Sequence, residues 1–252
     1  MVSRHHFNEY LDKLLAPELC KDYAPNGLQV MGQESISHVV TGVSASLALI
    51  EAAICQGADT LLVHHGLFWA KESPCVVGFK HARLKALLQH DLNLWAYHLP
   101  LDVHPIYGNN AQLADLFGIK ISKTVKSGGI DNLLTLGAFP KPLTANELIQ
   151  IISDKLKRTP FHVGPEGKLI QKVAVCSGGA QDFLEDAIFH GADAYLTGEV
   201  SESSFHVAKE SNIHFLGCGH HATERYGIQA LGEHLAKHFK LKHTFIDIPN
   251  PI

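Results

Sequence analysis

Residues 57–66 are Gly-Ala-Asp-Thr-Leu-Leu-Val-His-His-Gly, and the pattern around them predicts the fold class. Residues 60–63 form an apolar run of the length that a buried strand takes, and two histidines and a glycine end it. A helical pattern over residues 46–56 comes before, with Gly57 placed to end that helix. A β-rich run at residues 38–43 precedes the helix. The order strand, helix, strand is typical of an α/β fold.

The same pattern returns 134 residues later along the chain. Val39 corresponds to Val173, Leu62 to Leu196, and Gly57-Ala58-Asp59 to Gly191-Ala192-Asp193. A shift of 119 residues aligns the later helical positions: Gly108 with Gly227, Ala111 with Ala230, and Leu116 with Leu235. Matches at corresponding places in the same order of elements indicate a repeat. We therefore predict an α/β fold built by internal duplication, with two similar α/β domains and mixed, mostly parallel sheets.

The predicted boundary between the two domains lies near the middle of the chain. We expect a first domain at residues 1–125 and a second at residues 126–252. Ser127-Gly128-Gly129 has the composition of a linker between them. Thr144 and Glu147 have the spacing of a capping box before a helix in the second domain.

Composition and charge limit the classes of function. A hydrophobic content of 46% with 18% charged residues is typical of a globular protein with a substantial core. The formal net charge of -4 does not favour nucleic acid as a partner, since such proteins carry basic patches.

No apolar stretch approaches about 18 residues, so we expect no contact with a membrane interior. Five cysteines without a C-x-x-C pair favour reduced thiols and a cytoplasmic location. The N-terminus begins an amphipathic helix with Ser3 as N-cap and has no apolar signal core.

Candidate metal ligands cluster at three places in the sequence. His64 and His65 end a predicted strand, and Asp102 and His220 each follow the last strand of their own half. Ligands of open α/β sheets bind beyond the carboxyl ends of the strands, so we expect these side chains to contribute to one site. Glu224 follows His220 by four residues, which places both on one face of a helix.

Imidazole and carboxylate ligands in this number suit two divalent cations. Adjacent histidines of a regular strand point to opposite faces, so both bind metal only where the strand gives way to a turn, and Gly66 permits that turn. Mixed nitrogen and oxygen ligands favour Zn, Mn, Fe, Co or Ni over Ca or Mg. Five ligands fill two coordination shells only if one carboxylate bridges and water takes the open positions. We predict that Glu224 bridges, because a carboxylate has two oxygens. The alternative is that the histidines are ordinary surface or hydrogen-bonded core residues.

Further polar residues near the predicted strand ends are candidates for catalysis and substrate binding. We name His98 and Glu199 as candidate catalytic residues: His98 as a proton shuttle or as a group that contacts a metal ligand, and Glu199 as a group that holds substrate or orients a ligand. A structural ion pair or helix cap is the alternative for Glu199. Ser177-Gly178-Gly179 follows a strand and precedes a helix, where backbone N–H groups bind phosphate in other proteins. A simple tight turn is the alternative for this segment.

Four motifs resemble those of the NIF-three-like family, whose members are often named GTP cyclohydrolase 1 type 2. They are His64-His65-Gly66, His98-Leu99-Pro100-Leu101-Asp102, Thr197-Gly198-Glu199 and Gly219-His220-His221-Ala222-Thr223-Glu224. The resemblance implies a duplicated α/β fold, a dinuclear metal centre and a toroidal homohexamer. The metal ligands that it implies are His64, His65, Asp102, His220 and Glu224. Many members have Thr and Asn where this chain has Leu99 and Pro100. Many also carry an inserted domain, which this short form lacks.

The expected function follows from the ligands together with the resemblance. We expect a dinuclear metal-dependent hydrolase acting on a nucleotide or a related heterocycle, and the family name implies GTP: water attacks C8 of guanine, opens the imidazole ring and releases formate. The alternatives are a metal-dependent phosphoesterase and a non-enzymatic metal-binding or interaction protein that forms a ring assembly. Phe68, Trp69 and Phe205 are candidates for a contact between chains, or for packing within one chain.

Overall fold

The computed structural model describes residues 1–252, which divide into two units. Unit 1 consists of residues 1–107 and 227–249, and unit 2 consists of residues 108–226 and 250–252. This division differs from the predicted one at residues 125 and 126. No helix of the structure is long and apolar enough to span a membrane.

Short strands and helices alternate along most of the chain. The strands are β1 Val2–Ser3, β2 Gly27–Val30, β3 Ser35–Ile36, β4 His38–Ser44, β5 Thr60–His65, β6 Asn93–Ala96, β7 Lys120–Ser127, β8 Ile130–Leu143, β9 Phe161–Val163, β10 Ile170–Val175, β11 Ala194–Thr197, β12 His214–Gly217 and β13 Lys242–Phe245. The helices are α1 Arg4–Leu15, α2 Leu47–Cys55, α3 Gly78–Gln89, α4 Leu99–Asp102, α5 Asn109–Phe117, α6 Ala145–Leu156, α7 Leu184–Phe189, α8 Glu202–Glu210 and α9 His220–Phe239. Single turns of 3-10 helix lie at Pro17–Leu19 and Gln181–Phe183.

The sheet of unit 1 has the strand order β13-β4-β5-β6-β2. Only β2, at one edge, runs antiparallel to its neighbour. The central strands β4 and β5 are almost continuously buried, as expected for parallel strands covered on both faces. One face packs against α2 and α3 through residues such as Leu49, Ile50 and Leu87, and the other packs against α1 through Phe7 and Leu11.

The sheet of unit 2 has the strand order β7-β8-β10-β11-β12-β9. The pairs β10/β11 and β11/β12 are parallel, and the three remaining pairs are antiparallel. The α/β fold with mixed sheets is therefore confirmed, although parallel pairs predominate only in unit 1. The core of unit 2 contains Leu113 and Phe117 of α5 together with Leu148 and Ile152 of α6.

The internal duplication is visible in the register of the parallel strands. Val39 of β4 pairs with Thr60 of β5, and the residues 134 positions later, Val173 and Ala194, pair in the same way. The aspartate of the Gly-Ala-Asp motif has one role in both repeats. Asp59 Oδ2 accepts hydrogen bonds from the backbone N–H groups of residues 37 and 38, and Asp193 Oδ2 accepts them from residues 171 and 172. The repeated motif thus ties the start of each second strand to the start of the first.

Two predicted helix caps are confirmed. The Ser3 side chain accepts a hydrogen bond from the His6 N–H at the start of α1. At α6, the Thr144 hydroxyl accepts a hydrogen bond from the Glu147 N–H, and the Glu147 carboxylate accepts one from the Thr144 N–H. These hydrogen bonds from Thr144 lower the pKa of Glu147. Both caps depend on residues within one helical turn, which is why spacing alone identified them.

The segment Ser127-Gly128-Gly129 is a hairpin turn and not a linker, which corrects the prediction. Ser127 of β7 lies opposite Ile130 of β8 in antiparallel pairing. Gly128 and Gly129 have φ angles of 56° and 83°. A two-residue type I′ turn needs positive φ at both central positions, and glycine adopts it without a Cβ penalty. Flexible linkers and tight hairpins therefore share this composition.

The two repeats exchange their last helices, which explains why the units do not end where the repeats do. Helix α5 follows the first repeat in sequence, yet its apolar side chains Leu113, Ala114 and Phe117 belong to the core of unit 2. The later part of α9 follows the second repeat, yet Ile228 and Leu231 belong to the core of unit 1. The sequence pattern specifies each apolar helix face but not which sheet covers it.

Candidate metal centre

The histidine pair of unit 1 lies at the carboxyl end of β5. His64 and His65 are its last two residues, and their ring centroids are 4.6 Å apart. Ligand atoms of His64, His65 and His98 all lie within 4.8 Å of one another, so the three form a group able to hold a metal ion. Both histidines still belong to the strand. Their rings therefore lie close together before the turn at Gly66.

The Nδ1 atom of each imidazole in this pair is engaged by the protein. His64 Nδ1–H donates to the Tyr97 carbonyl oxygen at 3.0 Å, and His65 Nδ1 lies 3.0 Å from the Ser44 hydroxyl. Metal-binding histidines in proteins are oriented in this way through the ring nitrogen that does not bind the metal. Because these contacts engage Nδ1, Nε2 is the nitrogen with which each ring could hold a metal ion.

A short buried helix places the carboxylate of Asp102 beside His64. Helix α4 has Pro100 in its first turn, and the Asp102 N–H donates to the His98 carbonyl oxygen at 3.2 Å. This single turn brings Asp102 Oδ2 to 3.5 Å from His64 Nε2. Asp102 is 7% exposed, and His64 is fully buried. Proline is compatible with the first turn of a helix, so the residue that departs from many family members does not disrupt α4.

The sequence analysis did not identify Asp22, which holds His98. Asp22 Oδ1 accepts a hydrogen bond from His98 Nδ1–H at 3.0 Å, and Oδ2 accepts one from the Leu99 N–H at 3.0 Å. Burial opposes ionisation of Asp22, but the hydrogen bonds from His98, Asn26 and Ala24 outweigh it and lower the pKa to about 2. Asp22 is therefore a carboxylate at neutral pH. Its bond to the Ala24 N–H is an Asx turn, and that local spacing was the only sequence signal.

In unit 2 the candidate ligands lie in the first turns of α9. His220 begins the helix, and its Nε2 is 3.2 Å from Glu224 Oε1, as the spacing of four residues predicted. His220 Nδ1–H donates to Glu199 Oε1 at 2.6 Å. Glu199 therefore contacts a candidate ligand directly, as both the orienting role and the structural ion pair predict. Glu224 is only 3% exposed.

The charges around His220 suit a bound cation. Burial lowers the pKa of this imidazole, but Glu224 and Glu199 outweigh burial and raise it to about 9. Two carboxylates that stabilise a proton on a partly buried imidazole also stabilise a divalent cation in its place. The donor set of imidazole nitrogens and carboxylate oxygens matches the preference of Zn and its first-row neighbours, so these residues fit the metal ions that the family implies.

Two glycines at strand ends make room for the first turn of α9. A Cβ atom on Gly178 would lie 2.2 Å from Glu224 Oε1, and one on Gly198 would lie 2.7 Å from the His220 Cα. Gly178 also has a φ of 68°, which disfavours other residues. The glycines at these positions therefore allow His220 and Glu224 to approach the strand ends.

The same segment was a candidate for binding phosphate through backbone N–H groups. The Ser177 N–H donates to Asn110 Oδ1 at 2.7 Å, and the Gly178 N–H donates to the Thr223 hydroxyl at 3.0 Å. Two of the three N–H groups of Ser177-Gly178-Gly179 are thus engaged within unit 2. This geometry favours the alternative, a tight turn that packs against α9.

Comparisons with known proteins find relatives that match almost the whole chain. Two curated relatives carry the name "GTP cyclohydrolase 1 type 2 homolog". The one from Vibrio cholerae is 51% identical over 244 residues, which is 96% of both chains. The one from Pseudomonas aeruginosa is 49% identical over 243 residues, again 96% of both chains. A solved structure described as protein ybgI, of unknown function, is 46% identical and superposes with a TM-score of 0.95 over 100% of both chains. The family model described as Duf34/NIF3 (NGG1p interacting factor 3) matches residues 2–251, and the chain belongs to this family.

Proposed function

We propose that the chain is a hydrolase that depends on two divalent metal ions and acts on a nucleotide or a related heterocycle. The proposed metal ligands are His64, His65, Asp102, His220 and Glu224. One observation carries the proposal: in all three histidines a protein oxygen engages Nδ1. In two of them Nε2 lies within 3.5 Å of a carboxylate oxygen. Bound metal ions would account for this shared arrangement.

The metal ions would supply Lewis acidity and lower the pKa of water, which makes water a nucleophile at neutral pH. The protein residues position the reaction. We propose that Glu224 bridges the two ions, because its carboxylate has two oxygens and is almost fully buried. Asp102 and the histidines then contribute one ligand atom each.

His98 is the residue that we propose for proton transfer. Asp22 holds its Nδ1 and remains ionised, so the imidazole keeps a fixed orientation with Nε2 as the atom that exchanges a proton. Its ring centroid is 5.1 Å from that of His64, next to the proposed ligands. Carboxylate–imidazole pairs of this kind serve as general acids and bases in many enzymes. For Glu199 we propose a positioning role through its bond to His220.

The names of the relatives support a nucleotide substrate. Two relatives of about half-identical sequence are named as homologues of a GTP cyclohydrolase. We propose GTP as the first substrate to test: water adds to C8 of the guanine ring, the imidazole ring opens, and a second hydrolysis releases formate. A phosphoesterase with the same ligands would release phosphate from the same compound.

A panel of nucleotides tests this function. The protein is loaded separately with Zn, Mn, Fe, Co or Ni and incubated with GTP, ATP and CTP, and products are identified by mass spectrometry. Formate and a ring-opened guanine product support the proposal, whereas phosphate alone supports the phosphoesterase. The exposed His206 of α8 provides a control, since His206→Ala should leave turnover unchanged. Absence of turnover with every metal would favour a non-enzymatic metal-binding protein.

The family resemblance also supports a closed homohexamer, which we propose as the assembly. Closed symmetry is the usual outcome for soluble homo-oligomers. Light scattering on the purified protein measures the mass directly. A mass of six chains supports the ring, and a monomer at micromolar concentration contradicts it.

A further inference from the structure

Aromatic side chains surround the histidines of unit 1 and remain partly open to solvent. The ring centroid of Trp69 is 5.6 Å from that of His65 and 5.3 Å from that of His98. Tyr23 lies 5.1 Å from His98 and 5.9 Å from Trp69. Tyr23 is 59% exposed and Trp69 is partly exposed. The two rings thus border the candidate metal ligands.

The exposure of these rings contrasts with the burial of two other large aromatic residues of unit 1, Trp95 and Tyr97. Trp95 and Tyr97 are completely buried, and both make hydrogen bonds to α1. Burial of an aromatic side chain removes about 150–250 Å² from water and strongly stabilises a fold. Packing within unit 1 therefore accounts for Trp95 and Tyr97, whereas Trp69 keeps a surface that faces solvent.

Backbone hydrogen bonds hold the two aromatic residues in place. The Ala70 N–H donates to the Tyr23 carbonyl oxygen at 3.1 Å, and the Glu72 N–H donates to the Trp69 carbonyl oxygen at 3.0 Å. Just before this turn, the Leu67 N–H donates to the Gln29 side chain at 2.8 Å. The loop after β5 is thus tied to neighbouring segments, which presents the indole in a defined position beside the histidines.

The ring contacts of Trp69 are tilted or perpendicular. Its plane makes angles of 33° with Tyr23, 57° with His65 and 82° with His98. A flat ligand that stacks in parallel on the indole would add a contact of a different kind. Such a ligand would lie on a ring whose centroid is 5.6 Å from that of His65 and 5.3 Å from that of His98.

We propose that Trp69, supported by Tyr23, is a stacking platform that binds the flat heterocycle of the substrate, of the nucleobase class. The catalytic role of this platform rests on the proposed function, but a base can bind to the platform without turnover. The platform assigns binding of the base to unit 1 and makes Trp69 a substrate-binding residue. Stacking is tolerant of base identity, because every base has a π-face.

Fluorescence of a single-tryptophan protein tests the platform. The chain has two tryptophans, so Trp95→Phe leaves Trp69 as the only one. Guanosine has a base without phosphates, and ribose 5-phosphate has a phosphate without a base. We expect guanosine to quench Trp69 emission saturably in the metal-loaded protein, and ribose 5-phosphate to leave the emission unchanged. If Trp95→Phe fails to fold, protection of the more exposed Trp69 from acrylamide by guanosine is measured in the unaltered protein.

Substitutions at Trp69 provide the second measurement. Trp69→Ala should weaken guanosine binding by about 5- to 150-fold, the range of base–aromatic stacking. Trp69→Phe keeps an aromatic face and should lose less affinity for guanosine. Metal content and the affinity for inorganic triphosphate should be unchanged in both variants, because neither depends on the base.

The outcomes separate the platform from the hydrolase. Turnover of GTP with the same KM in Trp69→Ala and in the unaltered protein would overturn the platform and leave the proposed function standing. Saturable quenching by guanosine without turnover of any nucleotide would support the platform and count against the hydrolase. Emission that shifts on dilution and ignores guanosine would place Trp69 in a contact between copies of the chain, which also overturns the platform.

Discussion

The ends of β5 in unit 1 and β11 in unit 2 occupy the same place in the two repeats but contribute differently to the candidate site. His64 and His65 at the end of β5 are themselves proposed ligands. The corresponding residues of unit 2, 134 positions later, are Gly198 and Glu199. Gly198 makes room for His220, and Glu199 holds the His220 ring. The candidate ligands of one repeat thus lie on a strand, and those of the other lie on a helix that contacts its strand ends.

The preceding strands show the same difference. Ser44 at the end of β4 contacts His65 Nδ1 through its hydroxyl. Gly178, at the corresponding position after β10, has no side chain and lies against Glu224. A position that orients an imidazole in unit 1 therefore provides space in unit 2. Corresponding strand ends of the two repeats thus lie next to candidate ligands in both units. The element that carries those candidate ligands differs between the units.

The largest expected effect concerns the helix that carries the ligands of unit 2. We predict that Glu224→Ala loses both metal ions, because it removes the carboxylate that we propose as the bridge, and that Asp102→Ala loses mainly one. Metal content per chain, measured by elemental analysis after purification, checks both variants. Glu233→Ala, an exposed glutamate later in α9, serves as the control. Two ions retained in Glu224→Ala would rule out the bridging role.

The second prediction tests whether glycine in unit 2 provides space for the ligands. Gly178→Ala places a Cβ against Glu224, so we expect at least a tenfold loss of metal affinity and a loss of about 1–3 kcal/mol in the free energy of unfolding. Gly191→Ala is a matched control, because Gly191 has a similar φ of 70° but nothing within 4 Å of an added Cβ. Chemical unfolding and competition with a chelator measure both quantities. Equal effects of the two substitutions on metal affinity would contradict the role in spacing.

The third prediction compares the groups that orient the imidazoles. Glu199→Ala removes the oxygen that accepts from His220 Nδ1–H, and we expect metal affinity to fall by about 10- to 100-fold. Glu199→Gln retains an oxygen acceptor without the charge and should recover part of the loss. Ser44→Ala tests the corresponding position of unit 1 and should have the smaller effect, since a neutral hydroxyl stabilises the ring less than a carboxylate does. A chelator titration of each variant ranks the metal affinities of the three.

The last prediction concerns the carboxylate–imidazole pair of unit 1 and the pH dependence of the free energy of unfolding. The folded-state pKa of Asp22 is lowered to about 2, below its ordinary value of 3.8. A lowered carboxyl pKa stabilises the fold above the unfolded-state pKa, and this contribution is lost as pH falls through the folded-state value. We therefore expect Asp22→Asn to remove about 2 kcal/mol at pH 6 and much less near pH 2. Urea unfolding of both proteins across this range measures the difference.

Asp131→Asn provides the control for this pH series, because Asp131 is exposed in the β7–β8 hairpin. Its stability should follow that of the unaltered protein at every pH. A difference between Asp22→Asn and the unaltered protein that stays constant down to pH 2 would show that Asp22 acts through packing and not through its charge.

Local sequence patterns were sufficient for much of the fold and for the contact between the candidate ligands His220 and Glu224. The caps at Ser3 and Thr144, the repeated Gly-Ala-Asp motif and the spacing of His220 and Glu224 were all identified in advance. Each depends on residues a few positions apart, or on one pattern present twice. Periodicity and spacing contain that information, because helical turns and strand alternation repeat over short distances.

Only the tertiary structure decided how these parts combine. The bond between Asp22 and His98 joins residues 76 positions apart, and the bond between His64 and the Tyr97 carbonyl joins residues 33 apart. The exchange of α5 and the end of α9 between repeats and the approach of Glu224 to Gly178 are also long-range contacts. The amphipathic pattern of a helix predicts that one face is buried, but it does not predict which sheet covers that face. The sequence therefore determined the elements and the chemistry of the ligands, and packing determined which residues hold those ligands in place.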